Sequence, residues 1–296
     1  MPYGKYLLPN DTARIGSTHI KSCQNFALTV QRYVPHEAIE ETDRLNDRGR
    51  SIGKERNFWL QEICRDFVPD DDLITNLHQR WMAMTENSVR FTMVTRSRLI
   101  VGLGGKGALE FGITLHPVTG LPYIPGSAQK GLCRNYKLLE LAFERKISPL
   151  PPDDPKQKSE IEKLDELLSN EANQDQDAKT YREIFGTQDN AGSCIFFDAV
   201  LSPLEQGQAL FELDVMTPHF SDYYSNKGDV AHPPHDADKP IPVTFITIPT
   251  GITFSCAVGL RRNANDAYVK DATNTLQKAL AEMGIGAKTA AGYGVF

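Results

Sequence analysis

The residues with the clearest chemical potential close the chain, in GIGAKTAAGYGVF (284–296), where Gly284, Gly286, Gly292 and Gly294 surround Lys288 and Thr289. Glycine lets the backbone take positive φ and lets a ligand approach main-chain N–H groups, and successive amides in such a loop form concave anion sites. With a lysine among them, the natural guest is phosphate. The spacing excludes the commonest phosphate loop. G-x-x-x-x-G-K-[ST] needs glycine before the lysine, Ala287 stands there instead, and the two residues after Gly294 leave no room for the helix that should follow. A glycine-rich tail without a ligand is the other reading of the same composition.

A second anion-friendly stretch is GLPYIPGSAQKGLCRNYKLLELAFERK (120–146). Pro122 and Pro125 hold an extended or turn conformation, Gly126 makes a bend, and Ser127 is placed to cap a helix. Leu132, Tyr136, Leu139 and Phe143 form its expected apolar face, with Lys130, Arg134 and Lys137 as a separate basic stripe near the N-terminus. Free N–H groups and the positive end of the macrodipole lie at that same end, so an anion is doubly favoured there. Lysines early in a helix oppose the dipole by roughly 0.3–1 kcal/mol, so either a counter-anion or solvent must balance them.

Three further clusters have weaker chemistry. Gly102, Gly104 and Gly107 satisfy G-x-G-x-x-G, but the following ALEFGITL favours strand over helix, so the dinucleotide fingerprint fails and the glycines read as a strand junction, with a second approach for phosphate or RNA as the alternative. His232-Pro-Pro-His235 beside Asp236 and Asp238 reads as a solvated loop rather than a metal site. In the irregular stretch 217–240, His219, Tyr223 and Tyr224 could stack on bases, or the tyrosines could anchor the loop to the body.

The elements that must position these residues belong to a globular chain of 296 residues with 40% apolar content. No window reads as a membrane span or a signal peptide, and a cytoplasmic protein is expected. Five scattered cysteines without a C-x-x-C pair signal neither a disulfide framework nor a zinc knuckle, and no cofactor is expected. The net charge of -6 argues against nucleic acid only superficially. Residues 151–177 hold nine acids and three lysines, so the remainder balances at 29 acids against 29 bases, and basic patches are possible there.

Along the chain, residues 1–89 form a partly helical extension, with Trp59, Ile63 and Phe67 on one helix face and Leu73, Leu77, Trp81 and Met84 on another. A β segment near residue 90 precedes the helix at Ser127, and 149–191 reads as a peripheral, acidic, partly helical insertion. Strand-like 193–201 and 210–216 follow, then the excursion 203–240 that contains the irregular loop. IPVTFITI and ITFSCAVGL should pair through a Pro249-Thr250-Gly251 turn, and a helix over about 266–283 delivers the closing loop. The order can be written βαββαβ, an α+β, ferredoxin-like (RRM-like) sandwich over 90–296 with helical and loop insertions. No aromatic RNP strand motif occurs, so any RNA binds through another surface.

GLPYIPGSAQKGLCR, paired with a terminal GIGAKTAAGYG, resembles the CRISPR-associated RAMP superfamily. Within it, RLIVGLG, LHPVTGLPYIPGS and DVMTPHFSDYY are similar to the sixth RAMP subunit of type III-B (Cmr) effector complexes, over roughly residues 90–296. The resemblance implies a noncatalytic RNA-binding subunit of an antiviral ribonucleoprotein that caps the RAMP filament near the 3′ end of the guide RNA and supports cleavage of complementary target RNA. Its implied partners are guide and target RNA, a backbone RAMP subunit, a second capping RAMP subunit and the small subunit, with no membrane. Gly126, Ser127, Lys130, Arg134, Gly284, Gly286, Lys288, Thr289, Gly292 and Gly294 would line the guide backbone. His219, Tyr223 and Tyr224 fall where the family carries a thumb. Two alternatives stay open: a guide-processing endoribonuclease using His19, His116 or His219 as general acid or base, and a protein-only assembly adaptor.

Overall fold

The computed structural model describes residues 12–13, 22–35, 38, 54–103, 112–150, 157–217, 242–261 and 265–296. His19, Gly104, Gly107, His219, Tyr223, Tyr224 and the cluster from His232 to Asp238 lie outside them.

Among the described residues, helices α1 (Phe26–Gln31), α2 (Lys54–Asp66) and α3 (Asp71–Met84) precede the first strand. The start of α3 follows from its sequence. The Asp70 side chain accepts the Leu73 N–H, and Asp71 and Asp72 sit in the first turn, where the macrodipole favours carboxylates. Strand β1 (Ser88–Val94) is followed by the long helix α4 (Gly126–Glu144), and then by α5 (Glu160–Ser169) and α6 (Gln176–Phe185). Next come β2 (Cys194–Phe196), β3 (Val200–Leu201), β4 (Glu212–Met216), β5 (Val243–Thr247), β6 (Thr253–Leu260) and α7 (Asp266–Glu282).

Strand β6 is the spine of a four-stranded antiparallel sheet. It pairs with β1 along Ser88↔Gly259 to Val94↔Thr253, and on its other edge with β2 at Cys194↔Leu260 and β3 at Val200↔Ser255. Its residues from Phe254 to Gly259 are all buried, as expected of a strand covered on both faces. Helix α7 packs on β6, β1 and β2, and α4 packs on β2 and α7. Alternation puts Ser255 on the face opposite Phe254. There α3 sits, with His78 Nε2 2.9 Å from Ser255 Oγ and Trp81 Nε1 donating to the Asp198 carbonyl at 2.9 Å.

Four expectations change. The Pro249–Gly251 turn does not join a hairpin: β5 pairs with β4 in a separate two-stranded sheet, while β6 pairs with β1. The reason is Thr95, whose carbonyl accepts the Gly251 N–H, whose hydroxyl accepts the Ile252 N–H, and whose same hydroxyl donates to the Pro249 carbonyl, so the turn closes on a third segment. The strand expected over 193–201 is broken: the Phe197 N–H still donates to Ala257 of β6, but Ala199 pairs instead with Ile124 and Asp198 is presented to α4.

The insertion 149–191 is no peripheral excursion over its described part. A Ser159–Glu162 capping box starts α5, and Leu164, Leu168, Ala178, Tyr181, Ile184 and Phe185 join the core. Three of its acids tie it to α4 and the residue that follows: Asp165 pairs with Arg134 at 2.8 Å, and Asp175 and Asp177 both pair with Arg145 at 2.7 Å.

Helix α4 is also rotated from its expected face. It buries Gly126, Gln129, Cys133, Leu138, Leu141 and Ala142, and leaves Phe143 85% exposed. Small residues set the contact, with Cys133 Sγ 3.5 Å from the Ala272 carbonyl of α7, so the apolar size pattern pointed elsewhere. What stands is a mixed α/β chain with antiparallel sheets; the terminal stub makes no strand, although Arg96 and Ser97 donate to the Val295 carbonyl at 2.8 and 3.2 Å.

Candidate nucleic-acid interface

The closing loop is built against backbone on its inner side and is open on its outer side. Gly284, Gly286, Gly292 and Gly294 all have positive φ. A Cβ on Gly294 would fall 1.9 Å from the Ile285 carbonyl oxygen, and one on Gly286 2.1 Å from that of Ile100. Those glycines serve close packing: Ala287 N–H donates to Ile100, Gly294 N–H to Arg98 and Ile285 N–H to Gly294. Gly292 differs, since a Cβ there would meet nothing within 4 Å. Between them the Thr289–Ala291 turn stands out from the body, with Ala290, Ala291 and Gly292 exposed. No acceptor among the described residues takes the N–H groups of Gly286, Lys288, Thr289 or Ala290.

Lys288 is one of two non-glycine residues with positive φ among those described, at 60°. Its Nζ lies 4.9 Å from the Phe245 ring centroid and 6.0 Å from that of Tyr293, and no carboxylate pairs with it. The Tyr293 hydroxyl donates to Asp214 Oδ2, and Arg98 bonds Glu212 at 2.6 Å and Asp214 at 2.9 Å. Burial pushes the Asp214 carboxyl up, but the bonds from Tyr293, the Val215 N–H and Arg98 outweigh it and hold Asp214 below the usual carboxylate range.

The start of α4 is organised differently. Pro125, not Ser127, occupies the N-cap, and no side chain caps from that position. Ser127 is inside the helix and exposed. Asp198 supplies the cap from outside: its Oδ1 accepts the Gly126 N–H at 2.7 Å. A Cβ on Gly126 would sit 2.1 Å from the Phe196 carbonyl oxygen, so this glycine, too, is required by packing. One helix-start amide is therefore committed to a protein carboxylate.

The basic stripe divides. Arg134 bonds both Asp165 oxygens, at 2.8 and 3.0 Å, and lies over the Tyr181 ring at 5.4 Å. Lys137 bonds Glu140 and lies 3.5 Å from Asp271. Lys130 alone of the three has no ion-pair partner. Burial, reinforced by the positive charges of Arg261 and Arg134, holds its ammonium below the usual range. Arg261, at the end of β6, is exposed and likewise unpaired, and was not singled out from sequence although the Arg261-Arg262 dipeptide was a visible signal. No hydrogen bond or ion pair joins the closing loop to the residues 126–134.

Elsewhere the geometry removes chemistry. The sheet face that carries Ser255 is covered by α3. His116 Nδ1 accepts the Thr119 N–H at 3.4 Å and its ring meets Tyr123 edge-on, without a lysine or carboxylate partner. Burial pushes the thiols of Cys64, Cys133, Cys194 and Cys256 up, away from nucleophile chemistry. Among the described residues no group of His, Cys, Asp and Glu is arranged to hold a metal ion, and no helix is long and apolar enough to cross a membrane.

With this geometry in place, similarity to known proteins is specific. A family model described as RAMP superfamily matches residues 92–296. The CRISPR system Cmr subunit Cmr6 of Pyrococcus furiosus is 34% identical, over 79% of this chain and 72% of that protein. The Cmr subunit Cmr6 of Saccharolobus solfataricus is 28% identical, over 84% and 74%. A chain in the cryo-EM structure of type III-B Cmr-beta bound to cognate target RNA shares the fold at a TM-score of 0.56 and 22% identity, covering 97% of this chain and 84% of that one.

Proposed function

This chain belongs to the RAMP superfamily and, within it, to the Cmr6 family, and from that premise we propose that it is a noncatalytic, guide-RNA-binding subunit of a type III-B Cmr ribonucleoprotein. It caps the RAMP filament near the 3′ end of the guide, beside backbone, capping and small subunits, and supports cleavage of complementary target RNA in the prokaryotic cytoplasm. The domain over 90–296 takes the ferredoxin-like arrangement, with 1–89 as an extension packed on it and the thumb-like excursion, including His219, Tyr223 and Tyr224, reaching the guide–target duplex or a neighbour.

The observation that carries this reading is the outer side of the closing loop. An unpaired Lys288 and the unclaimed N–H groups of Gly286, Lys288, Thr289 and Ala290 form a patch of donors with no carboxylate among them. Such donors recognise a phosphate whatever base it bears, which suits a guide of varying sequence. Lys130, with Arg261 beside it, adds a second cationic contact, while Ser127 offers a hydroxyl on the exposed face of the first turn. Arg134, held by Asp165, contributes field rather than grip. Gly126, Gly284, Gly286, Gly292 and Gly294 shape the backbone that would lie along the RNA.

The test is Lys130→Ala with Lys288→Ala in the reconstituted complex. Guide retention should fall and the slope of log retention against log salt should flatten by about one to two units. Unchanged retention and slope would remove the RNA-binding role and leave the adaptor reading.

A further inference from the structure

We propose that Tyr293, clamped by Asp214 and Arg98, is the positioning residue that presents Lys288 to a backbone phosphate of RNA. The inference rests on the guide-binding reading above and concerns how the loop keeps its one lysine available.

Lys288 occupies a left-handed conformation that a Cβ disfavours, whereas glycine stands at the loop's four other left-handed positions, 284, 286, 292 and 294. A side chain is kept at 288 at a conformational cost, so the conformation must place that side chain usefully. It directs the ammonium onto two rings, Phe245 and Tyr293, whose centroids are 6.3 Å apart and whose planes are inclined by 52°. Phe245 is buried in the core and cannot move far; Tyr293 belongs to the loop and could.

What fixes Tyr293 is a short chain of bonds. Its hydroxyl donates to Asp214 Oδ2, and Asp214 is held in turn by Arg98 Nη1 at 2.9 Å, while Arg98 Nε holds Glu212 at 2.6 Å. At its other end the Tyr293 N–H donates to the carbonyl of Lys288 itself, at 3.3 Å. One residue therefore flanks the ammonium with its ring and ties the backbone that carries it.

The contacts support presentation rather than burial of the lysine. Arg98 bonds both carboxylates of β4 near the loop, and although that trio keeps a net charge of −1, no described carboxylate lies within ion-pair reach of Lys288. Contact with a ring face steadies a cation without using up its N–H donors, as a salt bridge would. An ammonium so held keeps its hydrogen-bonding capacity for a phosphate oxygen.

The experiment is a cycle of variants in the reconstituted ribonucleoprotein, reading retention of labelled guide RNA across a salt series. Lys288→Ala should weaken retention about tenfold, the worth of one charged hydrogen bond. Tyr293→Leu should weaken it nearly as much and flatten the salt slope equally, and the double variant should lose no more than Lys288→Ala alone. Tyr293→Phe keeps the ring and removes only its tether, and Asp214→Ala keeps the ring and removes the tether's acceptor together with one partner of Arg98; each should lose about threefold, non-additively. These milder variants decide the matter if Tyr293→Leu fails to assemble. If Lys288→Ala weakens retention while the Tyr293 and Asp214 variants do not, or if their losses simply add, positioning by Tyr293 is wrong and guide binding stands. If Lys288→Ala itself changes nothing, the guide-binding reading fails at this loop, and the positioning role falls with it.

Discussion

The closing loop and the first turns of α4 carry the same residue types, glycine beside lysine with free amides nearby, yet they deal with charge in opposite ways. In the loop the acids are drawn off to Arg98, and Lys288 rests on rings. On α4 the acids come to the cations: Asp198 takes a helix-start amide, Asp165 takes Arg134, and Glu140 with Asp271 takes Lys137. Only Lys130 is left, next to Arg261. The basic stripe on α4 is thus largely taken up by carboxylates of its surroundings, Arg134 by the acidic insertion and Lys137 by α4 itself and α7, while a single lysine in a strained loop is the freer cation.

That contrast can be broken most sharply at the glycines. Gly294→Ala, with its Cβ 1.9 Å from a carbonyl oxygen and φ of 74°, should destabilise the protein by about 3 kcal/mol or more. Gly292→Ala has a similar φ of 87° but open space, and should cost only about 1 kcal/mol. Equal losses in chemical denaturation would mean that the loop is not packed as described.

A smaller effect is expected on α4. Arg134→Ala removes the partner of Asp165, and because the Arg134 side chain is 40% exposed the loss should be only about 1 kcal/mol, read as loosening of α5 in hydrogen exchange. Lys130→Ala should cost less than about 0.5 kcal/mol, since no ion pair is lost. A larger loss from Lys130 than from Arg134 would reverse their assigned roles.

The smallest effect concerns α3. Burial lowers the His78 imidazole from its ordinary 6.5. The folded state then binds fewer protons than the unfolded one, so stability is full above that value and declines as pH falls below it toward the folded pKa. Thermal melts should show a slightly acid-sensitive transition that His78→Gln flattens; identical pH profiles would exclude His78 as its source.

Much of the fold was legible because local chemistry dictated it. Asp70 before an amphipathic run and Ser159 three residues before Glu162 mark the starts of α3 and α5, and β5 and β6 fall where β-branched and aromatic residues concentrate. The closing loop was legible for the same reason, since positive φ at several positions calls for glycine. The buried face of α4 was not, because Gln129, Cys133 and Ala142 lie against neighbours that only the fold supplies. The pairing of β5 with β4 was not legible either, since Thr95, the residue on which the turn closes, lies 154 residues from Pro249 in sequence.

The sequence by itself therefore determined that Lys288 stands in a loop of exposed amides and that Lys130, Arg134 and Lys137 share a helix, because both depend on residues close along the chain. Tertiary structure alone decided which of those cations is free. Whether a charge is neutralised depends on carboxylates within a few ångströms in space, and Asp165, Asp198, Asp214 and Asp271 reach their partners across 31 to 134 residues of chain.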